Sequence, residues 1–281
     1  MNRNEEMFLK IQEHALKVRE TYRQNERTDK VNILNAGKPG TGKTRLAITC
    51  PKPVHIDCFD SGGTKTAELK PFIERGEIIV DSSYAVDSWK SPQAIKKWEK
   101  DFKERRDMGY FDALGTYILD SASSFETSLL YDVIRIGDGK GSRTGGLPLL
   151  QDYGAVQMRM VDYFGMMMAF KCNVIVNAHV TITEIKQADK LGIVTEGVET
   201  SILLAGKGRD KIPLIFDEKY ISRCLAKDNY ILQTRSDGKW HAETRIGGGG
   251  IFEMHEKQDL YYLLTKAGYP AADKPLLFTN T

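Results

Sequence analysis

The sequence predicts an α/β fold with a mostly parallel central sheet, and two patterns support this prediction. From residue 31 onward, short runs rich in valine and isoleucine alternate with longer stretches of helical character. The runs are almost continuously apolar, which is typical of strands buried on both faces of a parallel sheet. Regular alternation of strand and helix implies right-handed crossovers and a doubly wound domain with helices on both faces.

Five strands and five helices are expected in the first two thirds of the chain. We predict the strands at 31–36, 54–59, 77–82, 116–121 and 173–178. We predict the helices between them at 43–50, 65–75, 91–108, 122–136 and 150–171. Pro51 and Pro53 end the first helix, because proline lacks an amide donor and disfavours a helical residue before it.

The first 30 residues form a separate and highly charged segment. Phe8, Ile11, Ala15 and Val18 recur there at helical spacing, which predicts an N-terminal helical arm over 1–30 with one narrow apolar stripe. A helix of this kind more often packs on its own domain. The alternative is an arm that docks onto a neighbouring subunit.

After residue 215 the pattern changes to strands joined by tight turns. Three segments are strand-like and are separated by turn-forming residues: 219–226, 229–235 and 239–245. They predict a C-terminal antiparallel meander over 217–246, within a core domain spanning 31–250. A helix near 256–267 and a tail form the last segment, 251–281.

The composition is typical of a protein from the reducing environment of the cytoplasm. The chain has 281 residues and a net charge of +2, so its charge gives no support for binding a polyanion. No two of its four cysteines form a CxxC pair, which favours free thiols in an intracellular protein. No apolar run approaches the ~20 residues that span a bilayer, and the charged N-terminus is unlike a signal peptide. We therefore expect a cytoplasmic protein without a membrane segment.

Residues 37–44, GKPGTGKT, match the P-loop pattern G-x-x-x-x-G-K-[ST] in full. The glycines let the backbone turn so that its N–H groups surround phosphate oxygens, and the helix that follows adds its positive N-terminal end. Lys43 is placed to reach the β- and γ-phosphates, and the Thr44 hydroxyl can ligate Mg²⁺. No NKxD guanine-reading motif is evident, so the expected cofactors are ATP and Mg²⁺. The predicted nucleotide-binding residues are Gly37, Lys38, Pro39, Gly40, Thr41, Gly42, Lys43, Thr44 and Arg45.

Polar side chains at strand ends complete the predicted site. A P-loop site needs a second Mg²⁺ ligand at the end of a buried strand beside the first, and Asp120 fits this place. Its alternative role is to cap the following helix. Hydrolysis also needs a group that activates water, for which we prefer Asp60 over Asp57, although an aspartate there could simply form a turn. His179, after the fifth strand, is either a γ-phosphate sensor or a structural histidine.

This order of parts resembles the core of RecA-type ATPases. The wording ILLAGKGRDKIPLIFDEKY, followed by LQTRSDGKWHAETRIG, is similar to small phage-encoded RecA-like ATPases of recombination and single-strand annealing. The resemblance covers about residues 31–250. It implies that Lys43, Asp60, Asp120 and His179 are catalytic and that Thr44 and Asp120 hold the metal. Asp60 stands where the family usually has a glutamate, and His179 where the classical recombinase has a glutamine.

The resemblance also implies partners. Segments 137–148 and 181–200 stand where loops of the family contact DNA, so single-stranded DNA and a homo-oligomeric ring or filament are expected. Phage single-strand-binding or recombination proteins are further candidate partners, which would place the protein in a host cytoplasm. Five basic residues either reach a neighbour's ATP in trans or are solvated surface charges: Lys207, Arg209, Lys211, Arg235 and Arg245.

The sequence therefore predicts an oligomeric, Mg²⁺-dependent ATPase that engages single-stranded DNA. The alternative is an ATP-dependent switch that acts on a protein partner, which the near-neutral loops and the charged N-terminal segment favour. A third candidate, a small-molecule kinase, is disfavoured because segment 137–146 contains one arginine, whereas a kinase lid would be rich in them.

Overall fold

The computed structural model describes residues 3–24, 29–137, 147–188 and 194–278. Ten strands lie in this part of the chain: β1 (Asn32–Ala36), β2 (Val54–Cys58), β3 (Ile78–Asp81), β4 (Thr116–Asp120), β5 (Asn173–Ala178), β6 (Val180–Ala188), β7 (Val194–Ile202), β8 (Glu218–Ala226), β9 (Asn229–Gln233) and β10 (His255–Lys257).

The helices connect and cover these strands. The α-helices are α1 (Arg3–Arg23), α2 (Lys70–Glu74), α3 (Ala94–Asp107), α4 (Ala122–Gly137), α5 (Leu150–Met167), α6 (Gly208–Lys211) and α7 (Leu260–Lys266). Short 3-10 helices lie at Thr44–Thr49, Tyr110–Ala113, Ile212–Ile215 and Gly248–Gly250. Two helix predictions are wrong in type or length: 43–50 forms the first of these 3-10 helices, and 65–75 contains only the five residues of α2.

Eight strands form the central sheet, in the order β3-β2-β4-β5-β1-β8-β9-β10. Neighbours from β3 to β8 run parallel, whereas β9 pairs antiparallel with both β8 and β10. The predicted α/β class, with a mostly parallel sheet and antiparallel C-terminal strands, is confirmed. One detail is wrong: β4 does not lie beside β1, because β5 is inserted between them.

Each buried strand sends alternate side chains to two apolar layers, which explains the continuous apolar runs in the sequence. The larger layer holds Trp98 and Phe102 of α3, Phe125 of α4 and Phe164 of α5. The opposite layer is built from the 3-10 helix Thr44–Thr49 and from α7, through buried side chains such as Leu46, Leu260 and Leu263. The sheet is therefore covered on both faces, as predicted.

The antiparallel C-terminal part differs from the predicted meander in its third strand. Segment 239–245 makes only isolated bridges, Trp240 to Thr200 and Glu243 to Lys219. The third strand is β10 instead, which pairs with β9 from His255 to Lys257. The glycine-rich segment 246–250 lies between the predicted third strand, 239–245, and the observed one, β10. Gly249 and Gly250 have positive φ angles, which interrupt an extended strand there.

Segment 181–200, expected as a loop, is mostly a β-hairpin. β6 and β7 pair antiparallel from Val180 with Ile202 to Ala188 with Val194. Most of the other predicted loop, 137–148, lies outside the described residues, which exclude 138–146. Its predicted contact with DNA stays a prediction.

The N-terminal arm is helical, but it does not pack on its own domain. In α1, every residue whose side chain is described is exposed, including Phe8, Ile11 and Val18. The expectation of a helix packed on its own domain is therefore wrong, because Phe8 is 59% exposed and Ile11 and Val18 are each 57% exposed. No helix in the described part of the chain is both long and apolar enough to cross a membrane.

Candidate functional site

Four segments chosen from the sequence meet at one edge of the sheet. Residues 37–44 follow β1, Asp60 follows β2, Asp120 ends β4 and His179 follows β5. These strands are parallel, so their carboxyl ends lie at the same edge, where ligands bind in open α/β sheets.

The loop at 37–44 has the backbone that a phosphate cradle requires. Gly40 and Gly42 have φ angles of +78° and +84°, which side-chain-bearing residues rarely adopt. Gly37 is close-packed, since an added Cβ would lie 2.6 Å from Thr41 Oγ1 and 2.8 Å from the carbonyl oxygen of Ser222. The backbone conformation of this loop therefore requires glycine at Gly37, Gly40 and Gly42.

Lys43 is folded back onto this loop. Its Nζ donates hydrogen bonds to the carbonyl oxygens of Gly37, at 2.9 Å, and Lys38, at 3.1 Å. Burial lowers the pKa of the Lys43 amine, and the negative charges of Asp120 and Asp60 oppose this effect. A phosphate would provide the full counter-charge that these two carbonyls do not.

Thr44 and Asp120 are directly joined. Thr44 Oγ1 donates a hydrogen bond to Asp120 Oδ2 at 2.6 Å, and Asp120 is 1% exposed. Burial raises the pKa of Asp120, and the hydrogen bond from Thr44 partly offsets this. Adjacent hydroxyl and carboxylate oxygens suit Mg²⁺, which is commonly held by one or two carboxylates together with substrate phosphates and water. Within the described residues there is no cluster of three or more His, Cys, Asp or Glu side chains suited to a metal. The hydroxyl of Thr44 and the carboxylate of Asp120 fit Mg²⁺ bound together with a nucleotide.

Asp60 and His179 form a pair next to Asp120. His179 Nε2 lies 2.9 Å from Asp60 Oδ2, and the Asp60 amide donates to the carbonyl oxygen of Asp120 at 3.2 Å. The other carboxylate oxygen, Oδ1, accepts hydrogen bonds from the hydroxyls of Ser121, at 2.9 Å, and Ser124. Burial by itself would raise the pKa of Asp60, but the hydrogen bonds from these three side chains outweigh it and hold the pKa below its usual value. These contacts hold the Asp60 carboxylate beside Asp120.

The alternative candidate, Asp57, lies in a different environment. Its carboxylate accepts hydrogen bonds from Trp98 Nε1 at 2.8 Å and Tyr117 Oη at 2.7 Å, and it forms an ion pair with Arg105 at 2.8 Å. It is fully buried and also bonds His55 at 2.9 Å. Its hydrogen-bonding capacity is used inside the protein, so the structure does not bring Asp57 to the site.

The remaining predicted residues are spread over the surface. Arg45 pairs with Glu68 at 2.5 Å and lies 4.9 Å from the ring centre of Tyr230, beside the loop at 37–44. Arg235 and Arg245 bond, respectively, the carbonyl oxygen of Phe252 and the carboxylate of Asp217. All five basic residues considered for a role in trans are exposed: Lys207, Arg209, Lys211, Arg235 and Arg245. They belong to separate segments of the chain, with Lys207, Arg209 and Lys211 in or beside α6 and Arg235 and Arg245 after β9.

Sequence reasoning missed several side chains of this region. Ser124 contacts Asp60, Ser123 Oγ accepts from the His179 amide at 3.2 Å, and Gln258 bonds the Thr41 carbonyl at 3.1 Å. The two serines were detectable as a run of small hydroxyl residues directly after Asp120. Gln258 carries no local signal, because it lies 217 residues from its partner.

Comparison with known proteins gives one family. The sequence profile of a family described as an AAA domain matches residues 29–246. Among solved structures, the chain is similar to a KaiC-like protein of the hyperthermophilic archaeon Pyrococcus horikoshii, with 11% identity over 76% of this chain and 82% of that chain. The TM-score of this similarity is 0.39. No curated protein matches the chain.

Proposed function

Because the matched segment, residues 29–246, is most of the chain, this protein belongs to the AAA domain family, and we propose that it is a Mg²⁺-dependent ATPase of RecA-like type that acts on single-stranded DNA. One observation carries the ATPase part: the loop at 37–44, Asp120, Asp60 and His179 converge at a single sheet edge in roles that complement each other. The DNA part and a phage recombination or annealing role rest on the sequence resemblance.

The residues of this edge divide the work of phosphate cleavage. The amides of 37–44 bind the phosphates, and Lys43 exchanges its two carbonyl partners for the β- and γ-phosphate oxygens. Thr44 and Asp120 would hold Mg²⁺, which supplies positive charge to the phosphates when bound. We assign to Asp60 the orientation of the attacking water and the acceptance of its proton, because its carboxylate lies beside Asp120 and His179.

His179 links this chemistry to a part of the chain that can contact a partner. Its imidazole bonds Asp60, and its carbonyl oxygen accepts a hydrogen bond from the Leu203 amide at 2.7 Å. The β6–β7 hairpin lies between these two residues, beginning at Val180 and ending at Ile202. A displacement of His179 on binding a γ-phosphate would reach both ends of the hairpin. This supports the proposal that ATP controls what the hairpin binds.

An assembly is part of the proposal. Transferring phosphates is commonly assisted by a basic residue from a neighbouring subunit, and the five exposed basic residues named above are candidates for that role in a homo-oligomeric ring or filament. Multiple subunits would also compensate for the weak charge of each one, since linked sites gain avidity.

A second function is favoured by α1. Its exposed apolar side chains, including Phe8 at 59% and Val18 at 57%, are unusual for a helix that faces only water. An ATP-dependent switch on a protein partner would use such a surface and would need no basic groove.

ATP hydrolysis with and without oligonucleotide tests the proposal. The purified chain should hydrolyse ATP only with Mg²⁺, and single-stranded DNA should raise the rate at low salt and lose this effect as salt rises. Lys43→Ala is the control for contaminating activity. If single-stranded DNA does not change the rate of hydrolysis and does not bind at low salt, the DNA part of the proposal is excluded. ATP-dependent binding of a protein partner without DNA would favour the switch.

A further inference from the structure

A row of buried polar side chains crosses the sheet beneath the loop at 37–44. It consists of Asn177 on β5, Asn35 on β1, Ser222 on β8 and Gln258, the residue after β10. Their exposed fractions are 0%, 0%, 1% and 2%. Buried amides and hydroxyls are costly unless they are bonded, so a continuous row needs a physical reason.

The members are joined one to the next by hydrogen bonds. Asn35 Nδ2 donates to Asn177 Oδ1 at 2.9 Å, and Ser222 Oγ donates to Asn35 Oδ1 at 2.7 Å. Gln258 Nε2 donates to Ser222 Oγ at 2.9 Å. Every donor therefore points the same way, toward β5, and bonds aligned in this manner strengthen each other.

The far end of the row toward β4 is the carboxylate site. Asn177 and Asp120 are directly paired in the register of β5 and β4, as Asn177 and Asn35 are in that of β5 and β1. Asn177 Nδ2 has no hydrogen-bond partner, and Asn177 lies directly opposite Asp120 in the pairing of β5 with β4. The row therefore ends on the strand position beside Asp120, whose carboxylate accepts from Thr44.

The opposite end holds the loop at 37–44 itself. Gln258 Nε2 also donates to the carbonyl oxygen of Thr41 at 3.1 Å. Its Oε1 is unpartnered and lies against Gly42, where an added Cβ would come within 2.4 Å of it. The two hydrogen bonds that Nε2 donates therefore fix the orientation of this amide. They do so although leaving the buried acceptor Oε1 unpaired costs free energy.

We propose that Asn35, Asn177, Ser222 and Gln258 are positioning residues that hold the phosphate-binding loop in register with Asp120. The inference rests on the proposed function, since it names what orients the parts of that site. It also assigns a role to a residue outside the matched family segment: Gln258 lies twelve positions after residue 246.

A second contact ties the same C-terminal segment to the site. The Leu260 amide donates to Thr49 Oγ1 at 3.0 Å, at the end of the 3-10 helix that follows the loop. Leu260 and Leu263 of α7 are fully buried in the same apolar layer as Leu46. The segment 258–266 therefore supports the nucleotide loop from behind, and it is not a detached tail.

Gln258→Met tests the proposal, because methionine keeps the length and removes both hydrogen bonds of Nε2. Its matched control is Gln233→Met, which removes the amide of another buried glutamine on β9 that bonds Arg223 and the Arg235 carbonyl and not the loop. The readouts are the Kd for a fluorescent ADP analogue without Mg²⁺ and amide hydrogen exchange at 41–43 in the nucleotide-free protein.

We expect Gln258→Met to weaken ADP binding about five- to tenfold and to speed exchange at 41–43, as the loss of one or two hydrogen bonds implies. Gln233→Met should leave both values unchanged. Ser222→Ala, a milder change in the middle of the row, should show the same two effects to a smaller degree even if Gln258→Met does not fold.

The two possible failures give different results. A wild-type chain that binds no nucleotide would overturn the proposed function, while exchange at 41–43 would still report on the row. Unchanged affinity and exchange in both Gln258→Met and Ser222→Ala would overturn the row, as would equal losses in Gln233→Met.

Discussion

Replacing Asp60 by asparagine should separate nucleotide binding from hydrolysis. In the structure this carboxylate accepts from His179 at 2.9 Å and from two serine hydroxyls, so the isosteric amide keeps the shape but removes the charge and places an NH₂ group against donors. General-base catalysis typically contributes 10²–10⁴-fold, so kcat should fall by about 10²–10³-fold. Nucleotide affinity should stay the same or increase, since a negative charge near Lys43 is lost.

Single-turnover hydrolysis and ADP titration measure the two effects on the same preparation. Asp57→Asn is the control that discriminates between the two aspartates. It should destabilise the fold by roughly 3–5 kcal/mol, because it breaks the buried ion pair with Arg105, which keeps only Asp81, and weakens the hydrogen bonds from Trp98 and Tyr117. The folded fraction should keep its kcat. Our assignment of the water-activating group would be refuted if Asp60→Asn retained more than a tenth of wild-type kcat, or if folded Asp57→Asn lost it.

Three further predictions concern the site, the core and the arm. Lys43→Ala should abolish turnover with an unchanged fold, whereas Asp120→Asn should lose Mg²⁺-dependent turnover more than nucleotide binding; turnover in Lys43→Ala would contradict the loop assignment. The pKa of Asp57 lies below its ordinary value of about 3.9, because the charges and hydrogen bonds of His55 and Arg105 outweigh burial; the stability it contributes is complete above that value and is lost as pH falls through the lower folded pKa. Acid unfolding should therefore become less steep in Asp57→Asn, and identical profiles would refute this. Deleting residues 1–24 should leave Tm within about 2 °C, because the side chains described there are exposed, while native mass reports any loss of assembly.

The local parts of the prediction succeeded where periodicity and motif spacing carry the information. The first five of the parallel strands, β1 to β5, were placed to within one residue at each end, since buried strands are continuous apolar runs. The third C-terminal strand was misplaced because 239–245 has a strand-like pattern, whereas most of 255–257 was assigned to the helix that begins only at Leu260. The choice between them depends on which one meets β9, and no local pattern reports on that.

The site was predictable in its members and less so in its arrangement. Each candidate followed a strand end, so the parallel sheet brought 37–44, Asp60, Asp120 and His179 to one edge. Sequence order could not show that β5 is inserted between β1 and β4, because strand order is decided by packing over the whole sheet. That insertion is what places Asn177 between Asp120 and Asn35.

By itself, the sequence determined the α/β class, the phosphate-binding loop and the strand ends that bear polar groups, because these are properties of neighbouring residues along the chain. Only the tertiary structure decided that Asp60 and not Asp57 faces the site, that α1 is uncovered, and that Gln258 supports a loop 217 residues away. The physical reason is that burial and hydrogen bonding depend on which distant segments meet in space, and a one-dimensional pattern carries no record of those meetings.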